Sequence, residues 1–174
     1  MPSRVIAVAL ALLGLSSPTL ADGPGLGRLA APNEIAAWDI SIGPGGAGLP
    51  PGRGTPKQGE TVYAEKCVAC HGEKGAGKPN DPLVGGRGSL SGDQAPGKTV
   101  GSFWPYATTL FDYIRRAMPL NLSKSLSEDE VYAVVAYILQ LNGIIGEADA
   151  MDAQTLPKVR MPNRDGFILF SRTK

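Results

Sequence analysis

The sequence predicts an all-α fold, with short helices joined by long loops and extended segments at both ends. Apolar residues recur at helical spacing in a few short stretches, and no run of Val and Ile residues reads as a strand. The 23 glycines and 15 prolines among 174 residues fill the stretches between with turn-forming sequence. A third observation is local. Both cysteines and the single histidine fall within "CVACH", Cys67 to His71.

The chain starts with Arg4, an apolar run from Val5 to Leu15, and small residues leading to Ala21. This is the pattern of a cleaved secretory signal peptide over residues 1–21, and the run is too short to span a bilayer. No later stretch is apolar enough to cross a membrane. Cutting 21 of 174 residues leaves 153, enough for one modest core, and leaves 16 basic against 16 acidic residues. That neutrality argues against a nucleic-acid partner, which calls for a basic excess. The charge is uneven: residues 127–152 hold six acids and no base, whereas five bases and one acid follow from Lys158.

Residues 22–57 read as an extended N-terminal flank, with Ile35, Trp38 and Ile40 as apolar anchors. The first helix is expected from about Gln58 through Cys67, after the Pro/Gly-rich "GPGGAGLPPGRGTP". Residues 72–103 form a loop with no sustained period. A structureless loop near that length in a compact domain implies that something other than side chains supplies its core. The second helix spans Trp104 to Ala117. Pro105 suits its first turn, and Ala107, Leu110, Phe111 and Ile114 fall on one face. Arg115 and Arg116 suit the C-terminal dipole, and Pro119 stops the helix. The third opens on the capping box of Ser127 and Glu130, carries the stripe Val131, Val134, Val135, Ile138, and closes at Gly143. Residues 144–174 read as an extended tail anchored by Leu156, Val159, Phe167 and Ile168.

Cys-x-x-Cys-His places two thiols on one side of a helical turn, positioned to add to the vinyl groups of a haem, with the histidine beneath the iron. A structural zinc site needs four protein ligands, and only three Cys and His side chains exist here. A thioredoxin-like dithiol needs a βαβ context that the sequence lacks. One covalently attached haem c is therefore expected on Cys67 and Cys70, with His71 as an iron ligand. With no second histidine, methionine is the remaining soft ligand. Met118, in "RRAMPLN" between the last two helices, is the expected sixth ligand, ahead of Met151 and Met161.

From Gln58 to Gly143 the chain resembles class I cytochromes c in its haem motif, glycine loop, ligand methionine and closing helix. The resemblance implies a cytochrome c domain over residues 58–143, with Gly59 and Tyr63 facing Val134 and Tyr137 where first and last helices cross. It also implies a proline carbonyl, from Pro82 or else Pro79, accepting the hydrogen bond of the His71 ring. The flanks narrow it. "EIAAWDISIGPGGAGLPPGRGTPKQGETVYAEKC", "LSEDEVYAVVAYILQLNGII" and "LPKVRMPNRDGF" resemble the haem subunits of periplasmic sulfite dehydrogenase and of the sulfur-oxidising multienzyme system. That resemblance implies a non-catalytic periplasmic cytochrome. Its electron donor would be a molybdenum-cofactor sulfite or sulfur dehydrogenase, and its acceptor a downstream cytochrome or oxidase. Two other readings remain at this point: a general periplasmic carrier for another dehydrogenase, or a haem sensor or enzyme with an open iron position. Lys66, Lys74, Lys78, Arg87, Arg115 and Arg116 are candidates for a basic rim around the haem that steers a partner.

Overall fold

In a computed structural model, residues 26–91 and 97–167 are described. Residues 1–21, expected to be a signal peptide, and Ile168 lie outside them. The described chain is largely helical, as the sequence predicts. It divides into two compact units between Asp39 and Ile40.

The first unit holds a two-turn helix, α1 (Pro32–Trp38), where the sequence suggested only extended chain. Pro32 starts it, and the Glu34 side chain accepts the Ala31 N–H at 2.7 Å. Arg28 grips both oxygens of Glu34 and, with the Ala31 N–H, holds that carboxyl at about 2. Ile35 and Trp38, expected as anchors, are 54% and 79% exposed.

In the second unit β1 (Arg53–Gly54) leads into α2 (Pro56–Lys66) and the single turn α3 (Val68–His71). The helix begins two residues before the expected Gln58. Thr55 caps it and Gln58 answers in a reciprocal capping box, with Pro56 in the first turn. Next comes α4 (Ala107–Ala117), three residues later than predicted. Trp104, preceding Pro105, is disfavoured from helical geometry, and Tyr106 is extended at φ −138°, its ring 4.1 Å from the Arg164 guanidinium. Trp104 packs edge-on against Tyr113 at 5.7 Å. These ring contacts hold the approach to α4 outside the helix.

The last long helix, α5 (Glu128–Leu141), opens on the predicted Ser127–Glu130 box. Asn142, not Gly143, is its C-cap, and Gly143 follows in the left-handed region at φ 63°. Sequence reading placed one apolar stripe on α5, but every residue from Val131 to Leu139 is buried. The second face is covered by chain that lies outside the three predicted helices. Tyr132 donates to the Pro50 carbonyl at 2.9 Å and packs on Phe111 at 4.4 Å. β1 pairs antiparallel with β2 (Met151–Asp152), Arg53 opposite Asp152 and Gly54 opposite Met151. Ile42 is buried and donates its N–H to Asp112 at 3.2 Å, and Thr108 donates to the Pro44 carbonyl at 3.1 Å. Leu156 and Met161 are also fully buried, in the same core as α5. A helix apolar all round is one enclosed on every side.

Where α2 crosses α5 the backbones touch. A Cβ on Gly59 would strike the Ala133 carbonyl and come within 2.8 Å of the Tyr137 Cβ. Tyr63 and Tyr137 stack at 5.4 Å beside this crossing. The contact residue is Ala133, one position from the expected Val134.

Candidate cofactor site

The site is built on the end of α2. Its helix stops at Lys66 because Cys67 departs from helical geometry (φ −122°), and the chain re-forms one turn carrying Cys70 and His71. Cys70 and His71 both donate their N–H to the Cys67 carbonyl, at 3.1 and 3.0 Å. Tyr63, anchored in the helix crossing, donates its hydroxyl to the Gly72 carbonyl at 2.9 Å. The crossing thereby sets the position of the Cys-x-x-Cys-His turn.

Cys67 is half-buried, Cys70 is exposed, and both are free thiols. Burial, helped by Cys70, pushes the Cys67 thiol up to about 11. A redox-active thiol calls for a depressed value, and burial moves Cys67 the other way. Among the described residues no three or more Cys, His, Asp and Glu side chains are grouped to hold a metal. A structural zinc site therefore lacks its fourth ligand.

The imidazole of His71 sits with Nδ1 3.2 Å from the Asp81 carbonyl. The expected acceptor was the carbonyl of Pro82, or of Pro79. The acceptor belongs instead to the peptide bond that precedes Pro82, whose nitrogen carries no hydrogen. The loop around it is tightly held: Gly77 N–H donates to His71 O, Asn80 N–H to Cys70 O, and Leu83 and Val84 N–H to Gly75 O. With Nδ1 engaged, Nε2 is the ring nitrogen left to act as a ligand atom.

Met118, Met151 and Met161 separate by burial. Met151 and Met161 are 4% and 1% exposed, enclosed in the protein core. Met118 is the C-cap of α4, half-buried, packed on the edge of the core. Val68, Leu83, Trp104 and Leu126 are likewise packed on the core while part of their surface stays open. Two unpaired thiols, an imidazole held at Nδ1, a partly exposed thioether and half-covered apolar side chains are the kinds of group that a haem calls for. The residues present fit that group.

Two sequence expectations change here. Arg115 is not available to a basic rim, because it binds Glu128 at 2.7 Å and the Ile40 carbonyl at 3.3 Å. Arg116 is paired with Asp112. Lys66, Lys74, Lys78 and Arg87 are exposed.

Sequence reading missed what orders the long loop. Thr99 and Ser102, buried, bind each other and the carbonyls of Gly85 and Gly97. Asn142 binds Leu83 and Gly85. Polar side chains between glycines have no periodicity by which to be recognised, and the sequence marked the helix end at Gly143 and not at Asn142.

A family model described as cytochrome c matches residues 56–142. A thiosulfate dehydrogenase of Psychrobacter arcticus is 31% identical over 83 residues, 48% of this chain. The chain spans only about a quarter (25%) of that relative's length. A chain in the crystal structure of the sulfane dehydrogenase SoxCD from Paracoccus pantotrophus is similar at TM-score 0.78 and 40% identity. The match covers 86% of this chain and 74% of that one. Such coverage exceeds the span of residues 56–142, so the likeness runs into the flanking segments.

Proposed function

The chain belongs to the cytochrome c family, and from that premise we propose that it is a periplasmic monohaem electron carrier serving a sulfur-oxidising molybdenum dehydrogenase. Haem, when bound, supplies a one-electron iron couple. The Cys67 and Cys70 sulfurs would hold it covalently, and the His71 Nε2 would ligate its iron. The Met118 sulfur would serve as the second axial donor, a choice that raises the reduction potential relative to a second histidine. Tyr63 and the Asp81 carbonyl keep the turn and the ring in register. With these side chains committed to the haem, this reading assigns the sulfur chemistry to the partner.

The observation that carries the partner is the likeness to the SoxCD chain through the flanks, since the core motifs alone fit any carrier of this family. Oxidation of sulfite to sulfate releases two electrons, and one haem takes one. The carrier must be reoxidised between transfers by a downstream cytochrome or oxidase. No helix among the described residues is long and apolar enough to cross a membrane. The test mixes oxidised holoprotein with a molybdenum sulfite dehydrogenase or a sulfane dehydrogenase, adds sulfite, thiosulfate or protein-bound sulfane, and follows haem reduction. Fast reduction by one of these pairs is expected. Reduction by an unrelated dehydrogenase and by none of the sulfur systems would leave a general carrier.

A further inference from the structure

Asn142, at the C-cap of α5, touches neither the cysteines nor His71 in any described hydrogen bond, yet it grips the loop that holds the histidine. Its amide nitrogen donates to the Leu83 carbonyl at 3.2 Å and to its own helix at Ile138 O at 2.9 Å. Its amide oxygen accepts the Gly85 N–H at 3.1 Å. Gly101 packs so closely on that oxygen that a Cβ there would overlap it. The clamp has a second jaw. Thr99 donates its hydroxyl to the Gly85 carbonyl at 2.5 Å, and the Val100 N–H donates to Leu83 O at 3.2 Å.

Leu83 thus has its carbonyl bound by α5 and by Val100, while its N–H is bound to Gly75 O at 2.9 Å. Two residues before it lies Asp81, whose carbonyl faces the His71 Nδ1 at 3.2 Å. Asp81 and Pro82 are exposed, and Pro82 has no N–H to anchor it, so the position of the Asp81 carbonyl depends on where the chain is pinned on either side. On the near side Asn80 N–H is bound to Cys70 O at 3.0 Å. On the far side the pin is Leu83, and the side chain holding its carbonyl is Asn142.

We infer that Asn142 is a positioning residue for the proximal histidine: by fixing Leu83 and Gly85 to α5 it holds the Asp81 carbonyl against the His71 ring and so tunes the haem iron. This rests on the reading that His71 is an iron ligand. A hydrogen bond at Nδ1 fixes the ring and makes the ligand more electron-donating, which favours the oxidised iron. Loosening the clamp weakens that bond, so the reduction potential rises.

The experiment compares the oxidised holoprotein with Asn142→Ala, Asn142→Asp and Val135→Ala. The last removes buried volume from the same helix without touching the loop. The readouts are exchange of the His71 ring Nδ1 proton by NMR and the reduction potential. In Asn142→Ala the ring proton is expected to exchange about tenfold faster, the factor equivalent to about 1.4 kcal/mol, with a raised potential. Asn142→Asp keeps the acceptor for Gly85 and loses the donor to Leu83, so an intermediate effect is expected, and it serves if the alanine variant does not fold. Val135→Ala is expected to melt earlier with both readouts unchanged. A folded Asn142 variant with wild-type exchange and potential overturns the inference, as does an equal change in Val135→Ala. Failure of the underlying reading is separately visible: if His71 is no ligand, the wild-type holoprotein shows no ring resonances shifted by the oxidised iron.

Discussion

Replacing Gly59 by alanine sets helix propensity against packing. Alone, the exchange in a helix interior stabilises by about 1 kcal/mol. In this fold the new Cβ would meet the Ala133 carbonyl and stand 2.8 Å from the Tyr137 Cβ. Carbon atoms rest at about 3.5–4.0 Å, so α2 and α5 must separate by roughly 1 Å. Neither contact is a flexible side-chain end, so the strain cannot be relieved by a rotamer change. Overpacking of this kind costs about 1–3 kcal/mol, and backbone contact puts the cost at the upper end. The net loss is about 2 kcal/mol, or a fall in Tm of about 4–8 °C for a chain of this size. Because Tyr63 rides on the same crossing and holds Gly72, the haem spectrum should also change. Calorimetry of the holoprotein measures the first effect, with Thr61→Ala on the exposed face of α2 as the control for propensity. A Gly59→Ala protein melting at or above wild type would refute the argument that this crossing is sterically closed.

Met118→Ala should lower the reduction potential and abolish the weak far-red band of an iron–thioether bond, with little loss of Tm. Met161→Ala should do the opposite, costing about 2–5 kcal/mol through a buried cavity and leaving the spectrum intact. An exchange of these outcomes would move the sixth ligand to Met161. Burial, then the nearby Asp152 and Glu128 carboxylates, push the Tyr132 phenol up to about 12 from an ordinary 10.0. A raised value means the neutral phenol stabilises the fold below about pH 10 and that this contribution is lost as pH rises toward 12. Stability should therefore fall steeply over that window, and less steeply in Tyr132→Phe, in a series of denaturant titrations by pH. At neutral pH Tyr132→Phe should cost about 1 kcal/mol for the bond to Pro50.

The haem motif was legible in the sequence because its chemistry is local: Cys67, Cys70 and His71 need only one helical turn to be brought together. Capping was legible for the same reason, since Ser127 and Glu130 act on backbone three residues away. Met118 was put ahead of Met151 and Met161 from its neighbour Pro119 and the end of α4, and in the fold those other two are enclosed in the core while Met118 keeps part of its surface open. Three-dimensional packing decided the rest. Arg115 looks free in sequence, and its partners Glu128 and Ile40 are set by how the chain folds back, whereas the Asp112–Arg116 pair needs only one turn of α4. Nothing local marks Ala133 as the point of closest approach, or Asp81 as the carbonyl beneath the imidazole. The second face of α5 reads as apolar surplus until residues 40–55 and 144–161 are seen to cover it. Pairings across tens of residues depend on loop paths that glycine and proline permit without dictating. The sequence by itself pointed to the group the chain can hold, and tertiary contact alone decided which backbone carbonyl meets the His71 ring.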